Sequence, residues 1–350
     1  MQKIAIIIVT ILMTAIAWHL SHMIPLTGYF ASLEPKLVEQ CRQVDIAPGT
    51  EDVTIDSELG LAFITAANRR TWYLGDNNNA APENGVYTLS LDGSDTVRKV
   101  SGDIEGFLPH GLYLWKDGDE RRLFVISHPP DGRELVELFD VAANGDLTHL
   151  ETISFPEMFS PNDIVATGPR SFYATNDQRF DEGLLGWLET NMAIPLSSIA
   201  YFNSDIGSFA RKHLFYANGI NISPDGSQIY VAEVVKRRIG VFDIDHSTGE
   251  LSRVRNIAVN TAPDNIEIDA DGNLWTAGHS RVLEFIAHAQ DETAIAASHA
   301  IKIDPATGDT TDVFISRNGE INGSSVAAAN EDTLIIGAVF DGHVMVCPLN

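Results

Sequence analysis

Hydrophobic and polar positions alternate along this chain in short runs, and long runs of helical period are scarce. The stretch "NGINISPDGSQIYVAEV", residues 218–234, shows the unit. Ile220 and Ile222, then Ile229 and Val231, keep a period of two, which predicts two strands. Pro224-Asp225-Gly226 between them is turn chemistry: Pro presets φ, Asp tolerates the bend and Gly takes positive φ. A hairpin follows, with Asn218 at the entrance of its first strand, an unusual place for an amide side chain.

The pattern recurs at "EDVTIDSELGLAFITAA" from Glu51, "HGLYLWKDGDERRLFVISH" from His110, "NDIVATGPRSFYATND" from Asn162, "DNIEIDADGNLWTAGH" from Asp264 and "NGSSVAAANEDTLIIGAV" from Asn322. Each copy opens on a polar residue, alternates, turns, and ends in a more apolar strand with small residues. The copies start about every 45 to 60 residues. That spacing suits four strands per unit and predicts an all-β, six-bladed β-propeller. Further strand material, such as "GVYTLSL" and "RIGVFDID", fills the gaps, and "DEGLLGWLETNMA" (Asp181–Ala193) is the one expected helical insertion. In a propeller the innermost strand of each blade lines a central channel. Glu51, His110, Asn162, Asn218, Asp264 and Asn322 should therefore meet as a ring at one mouth, with Asp52, Asp163 and Asn265 beside them.

Such a ring is rich in hard oxygen donors, and calcium takes six to eight of these at flexible geometry. Zinc would call for Cys or more His. His110 opens a strand beside the ring and His128 ends the next strand, so the two imidazoles can meet as a general base for water attack. His279 also ends a strand. No Gly-x-Ser-x-Gly elbow, P-loop or His-Glu-x-x-His motif is present.

Composition narrows the class. The 350 residues are 44% hydrophobic, with no linker-like division, and the formal net charge of −25 excludes nucleic acid as a partner. Lys3 precedes the apolar run "IAIIIVTILMTAIAW", with Ala15-Ile16-Ala17 as a small-x-small cleavage pattern and Trp18 as an interfacial residue. Residues 1–22 are expected to be a signal peptide or signal anchor, and 23–350 a single catalytic propeller. The expected location is secreted, periplasmic or membrane-anchored and facing an extracytoplasmic compartment, with membrane association through the N-terminal segment. The two cysteines, Cys41 and Cys347, stand at the two ends of the domain, as a bridge or as two separate thiols.

The segments "EDVTI", "PHGLY", "ISHP", "VELF", "PNDIVA", "FYATND", "ANGINISPDG", "VAE", "DNIEID" and "LIIGAVF", in this order from Cys41 to Cys347, resemble the paraoxonase/arylesterase family. The resemblance implies a six-bladed propeller with two calcium ions in its channel, hydrolysing lactones and aryl esters. It implies a catalytic calcium on Glu51, Asn162, Asn218, Asp264 and Asn265. It places a structural calcium on Asp52, Asp163 and the backbone carbonyl of Leu112. His110 corresponds to the proton acceptor and His128 to its relay partner. Cys41 and Cys347 match the family's disulfide, which ties the first and last strands of the ring. Gly278 stands where the family has a free cysteine, and Gln178 and Arg237 where mammalian members carry histidines. The loop "ANRRTWYLGDNNNA" (Ala67–Ala80) also departs from the family, which shifts the expected substrate preference. The competing expectation is a calcium-stabilised propeller that binds a ligand or protein and catalyses nothing.

Overall fold

Alternating runs cannot bury both of their faces alone. In the computed structural model, which describes residues 2–74, 81–180 and 183–349, they do so by stacking as blades. Among these residues the strands form six four-stranded antiparallel sheets. The inner strands are Thr50–Asp56, Pro109–Asp117, Pro161–Ala166, Ala217–Ile222, Pro263–Ile268 and Ser324–Ala329, in blades 1 to 6. Six apolar clusters fill the spaces between neighbouring blades. Phe63, Val86, Leu112 and Val125 pack between blades 1 and 2, for example, and Val53, Ile64, Val326 and Ile335 between blades 6 and 1. This sandwiching explains why the second strands, such as Leu61–Ala66, are almost wholly buried.

Blades 1 to 5 are each continuous in sequence. Blade 6 takes its outermost strand, Arg42–Asp45, from the N-terminal side of the domain. It pairs with His343–Pro348 in the register Arg42↔Val346 to Asp45↔His343. The Cys41–Cys347 disulfide joins the same two segments across a sequence separation of 306.

All six inner strands break register with their neighbours at one equivalent place, near the strand entrance. One extra residue is inserted there in each blade, a β-bulge that re-aims side chains. The bulges fall at Glu51, His110-Gly111, Asn162-Asp163, Asn218-Gly219, Asp264-Asn265 and Ser325. Blade 6 therefore corrects the expected ring: its equivalent residue is Ser325, whose hydroxyl donates to the Glu51 carbonyl. Asn322 lies before the strand, where its amide holds Ala296 N and Asp341. The bulges also bring neighbouring strands very close. A Cβ on Gly111 would lie 2.5 Å from the Asn162 carbonyl oxygen, and one on Gly219 2.3 Å from that of Asp264.

Helices decorate this frame. Helix α1 (Gln2–Leu26) precedes the propeller, and α2 (Arg69–Tyr73), α3 (Gly183–Asn191) and α4 (Val282–Gln290) lie in the second-to-third strand connections of blades 1, 3 and 5. Those connections leave from the strand ends facing the bulges, so all three border the channel mouth. The expected insertion is realised as α3, with Asp181 and Glu182 outside the described residues. Residues 75–80 of the divergent loop are also outside them. The chain after α1 docks on blades 4 and 5: Arg237 donates to the Leu26 carbonyl, Val282 N to that of Thr27 and Arg281 to that of Ala31. Among the described residues no helix is long and apolar enough to cross a membrane.

Candidate active site at the channel mouth

The bulges deliver Glu51, Asn162, Asn218, Asp264 and Asn265 to the mouth as buried side chains. Their contacts run to one another and to the residues around them. Asn265 Nδ2 donates to Glu51 Oε1 at 2.8 Å, and Asn162 Nδ2 to Asp177 Oδ2 at 3.3 Å. His279 Nε2 lies 3.1 Å from Asp264 Oδ2, and Arg69 Nη2 lies 3.9 Å from Glu51 Oε2. These contacts turn the amide nitrogens of Asn162 and Asn265 toward protein acceptors and leave their oxygens free. Glu51 Oε2, Asn162 Oδ1, Asn218 Oδ1 and Asn265 Oδ1 are all buried with no hydrogen-bond partner. Buried oxygens without partners are rare in folded proteins, and four from four blades in one cluster form a built acceptor site.

One step deeper, Asp52 and Asp163 brace neighbouring blades. Asp52 accepts from Val53 N and, across the blade boundary, from Leu112 N at 2.7 Å. Asp163 accepts from Ile164 N and from Ile220 N, each at 2.7 Å. Burial first, then repulsion from Glu51, raises the Asp52 carboxyl well above the usual carboxylate range. Burial and repulsion from Asp52 do the same to Asp163. Glu51 is also raised, by burial and by Asp264, against the opposing pull of Arg69.

Glu51, Asp52, Asp163 and Asp264 are four buried acids, and Arg69 is the buried cation beside them. Burying carboxylates without compensating cations is costly. Arg69 offsets one of the four charges, and a bound divalent cation would offset much of the rest. Among the described residues no three His, Cys, Asp or Glu side chains form a metal cluster of their own. The donors are instead acids mixed with amide oxygens, which suits calcium rather than zinc.

His110 and His128 meet as their positions in the sequence imply. His110 Nδ1 and His128 Nε2 are 2.9 Å apart, and His110 Nε2 lies 3.8 Å from Glu51 Oε1, facing the acceptor site. Burial, then the Arg69 and His128 charges, hold His110 well below the usual imidazole pKa, so its neutral form prevails near pH 7. His128 Nδ1 is 2.5 Å from Glu134 Oε2, and Trp72 of α2 stacks over the His128 ring at 6.2 Å between centroids. On the opposite wall His279 stacks on Phe285 at 3.7 Å, and Phe285 on Phe340.

Three residues near the site escaped the sequence reading. Arg69 donates to the Gly49 carbonyl and also contacts the Pro109 carbonyl, so one guanidinium ties blade 1 to blade 2. Asp177, pushed up to about 6 by burial against hydrogen bonds from Ser160 and Asn162, orients the Asn162 amide. It ends the quoted segment "FYATND", and its place directly after a strand end was the available signal. Glu134 sits six residues beyond His128, in a loop whose path sequence does not reveal.

The Arylesterase family model matches residues 36–349. Serum paraoxonase/arylesterase 2 of Gallus gallus is 31% identical over 88% of this chain and 88% of its own length. Serum paraoxonase/arylesterase 1 of Homo sapiens is 30% identical with the same coverage. Among solved structures, a luciferin-regenerating enzyme superposes with a TM-score of 0.55 at 16% identity, covering 91% of this chain and 96% of its own. Regucalcin from Agrobacterium tumefaciens, described as a calcium-binding protein, superposes with a TM-score of 0.52 at 16% identity, covering 90% and 93%. The structural likenesses carry the propeller fold, and the sequence matches carry the kinship: this chain belongs to the Arylesterase family and is an ester-hydrolysing enzyme.

Proposed function

We propose that the chain is a calcium-dependent hydrolase of lactones and aryl esters, with one calcium ion for catalysis and one for structure. The observation that carries the reading is the cluster of four unpartnered buried oxygens with His110 Nε2 facing it. Glu51, Asn162, Asn218, Asp264 and Asn265 would hold the catalytic ion. Asp52, Asp163 and the Leu112 carbonyl would hold the structural one. When bound, the catalytic ion supplies positive charge that stabilises the oxyanion developing on the ester carbonyl.

The chain's own residues do the rest. His110 takes a proton from water at Nε2 while the water oxygen bonds to the carbonyl carbon. The carbonyl π pair moves onto its oxygen. When the pair returns, the carbon–oxygen bond to the leaving group breaks, and the proton held by His110 passes to the departing oxygen. Trp72, Phe285 and Phe340 give the mouth apolar walls against which the acyl or aryl part of a substrate can pack.

The name of the curated relatives supports the aryl ester class, and the carbonyl activation described above serves a lactone equally. The N-terminal apolar segment is read as a signal peptide or retained anchor. The Cys41–Cys347 bridge supports export to an oxidising compartment. The deciding experiment is hydrolysis of phenyl acetate and of a δ-lactone with and without EGTA. Both activities should vanish on chelation and return on adding calcium. A chelated enzyme that keeps its rate would overturn the calcium dependence, and a calcium-loaded protein inert on both substrates would overturn the substrate class.

A further inference from the structure

The geometry points to Glu134 as a positioning residue that sets the protonation pattern of both histidines, so that the lone pair of His110 is aimed at the reacting centre. The inference rests on the reading of His110 as the base.

The argument follows hydrogen-bond polarity. An ionised carboxylate only accepts, and a neutral imidazole has one donor nitrogen and one acceptor nitrogen. Glu134 Oε2 is 2.5 Å from His128 Nδ1, so that nitrogen carries the proton. His128 Nε2 is then the acceptor. Its partner at 2.9 Å is His110 Nδ1, which must therefore be the donor. That leaves His110 Nε2 bare, facing Glu51 and the cluster of unpartnered oxygens. Reversing the first bond reverses every later one. With His128 protonated at Nε2, His110 Nδ1 becomes the acceptor and its Nε2 carries a proton, which blocks it as a base.

Other contacts do not fix this pattern: the Glu51 carboxylate, 3.8 Å from His110 Nε2, is beyond hydrogen-bond distance. Trp72 stacks on the face of His128 and touches neither nitrogen's polarity. Arg69 and Asp177 act on the pair through charge, without a hydrogen bond to either imidazole. Glu134 comes from the loop between the second and third strands of blade 2, the loop that starts at His128 itself. Blade 2 thus supplies the whole chain of carboxylate, relay imidazole and facing imidazole. When His110 accepts the proton of water, its Nδ1 proton can move toward His128 and the Glu134 charge stabilises the resulting cation. No co-reactant is needed, because the proton returns by the same path.

The test uses the calcium-loaded enzyme. Glu134→Leu removes the acceptor at a half-buried loop position, and Glu134→Asp restores a carboxylate. A carboxylate that orients a functional histidine through its other ring nitrogen typically contributes about 10- to 100-fold. E134L is expected to lower kcat on phenyl acetate by about that factor with KM within about twofold, and E134D to recover most of the loss. Nitrogen-15 NMR of labelled histidines should show His128 protonated at Nδ1 in the wild type and at Nε2 in E134L. Unchanged kcat in E134L would overturn the inference. So would a lowered kcat with the His128 tautomer unchanged, which is the mark of a purely structural role. A His110→Gln enzyme with wild-type kcat would instead overturn the base reading, while the spectrum still decides whether Glu134 sets the tautomer.

Discussion

Asn218 and Asp163 occupy equivalent stretches of neighbouring blades, yet the structure gives them different work. Asn218 leaves its oxygen unpartnered, whereas Asp163 spends both of its oxygens on backbone N–H groups of two blades. Asn218→Ala should therefore abolish most activity while the thermal melt stays within a few degrees of wild type. Asp163→Ala should lower stability as well, since two buried donors lose their acceptor at about 1–3 kcal/mol each. Circular dichroism melts with calcium present decide it, and equal destabilisation by both changes would refute the division of labour. His110 makes a further prediction at this scale. Its folded pKa lies below the ordinary imidazole value of about 6.5, so the base stays neutral and active down to pH values under 6.5. The acidic limb of kcat/KM should fall there, and His110→Gln should lose both the limb and about 10²–10⁴ in rate. The sign for stability is the same. Between the two pKa values the unfolded chain binds more protons, so this group's contribution is full above about 6.5 and declines below it.

At the scale of elements, the inner strands were legible and the bulges were not. Period-two runs with a polar residue at each entrance revealed Glu51, Asn162, Asn218 and Asp264 as one set, because six copies in phase reinforce a weak signal. A bulge leaves no local mark: it appears when a strand meets its neighbour, which is why Asn322 rather than Ser325 was read as the sixth residue. Helix α4 was missed for a related reason, since its nine residues lie within a loop between strand motifs. Arg69, Asp177 and Glu134 act across loops whose courses are set by tertiary packing. The bulges carry their own prediction. At Gly219 a methyl group would meet the Asp264 carbonyl oxygen at 2.3 Å, and backbone cannot rotate away as a side chain can. Gly219→Ala should force blades 4 and 5 apart at the mouth, costing roughly 1–3 kcal/mol as overpacking does. It should weaken calcium affinity although no donor is removed. Calcium titration followed by melting temperature would check it, and unaltered affinity would show that the mouth tolerates the shift.

At the scale of the whole molecule, the ring is held by its closure and by its centre. The closure is the Arg42–Asp45 strand and the Cys41–Cys347 bridge, with Cys347 fully buried. Thiol titration of the denatured, unreduced protein should accordingly read near zero. The centre is electrostatic. Glu51, Asp52 and Asp163 have folded pKa values raised above their unfolded ones by burial and mutual repulsion. In calcium-free protein such groups favour the folded state at pH values below their unfolded pKa, and that contribution is lost as pH rises through the folded values. Asp177 and Glu267 are raised in the same sense, and His110 and His299 are lowered. Carboxylates with lowered values, such as Asp56 and Asp341, stay ionised in both states down to about pH 5, so above that pH the raised carboxylates should dominate. Calcium reverses the trend, because protons compete with it for the same oxygens. Bound ion at about a thousandfold over its Kd adds about 4 kcal/mol, and that addition shrinks as acid protonates the donors. Melting temperatures of chelated and calcium-loaded protein should therefore lie far apart at pH 7.5 and draw together toward pH 5. The convergence should come from both sides: the chelated form gains stability as the loaded form loses it. A gap that stays constant across this range would mean that the buried carboxylates do not hold the ion, and that the propeller's stability is independent of its channel.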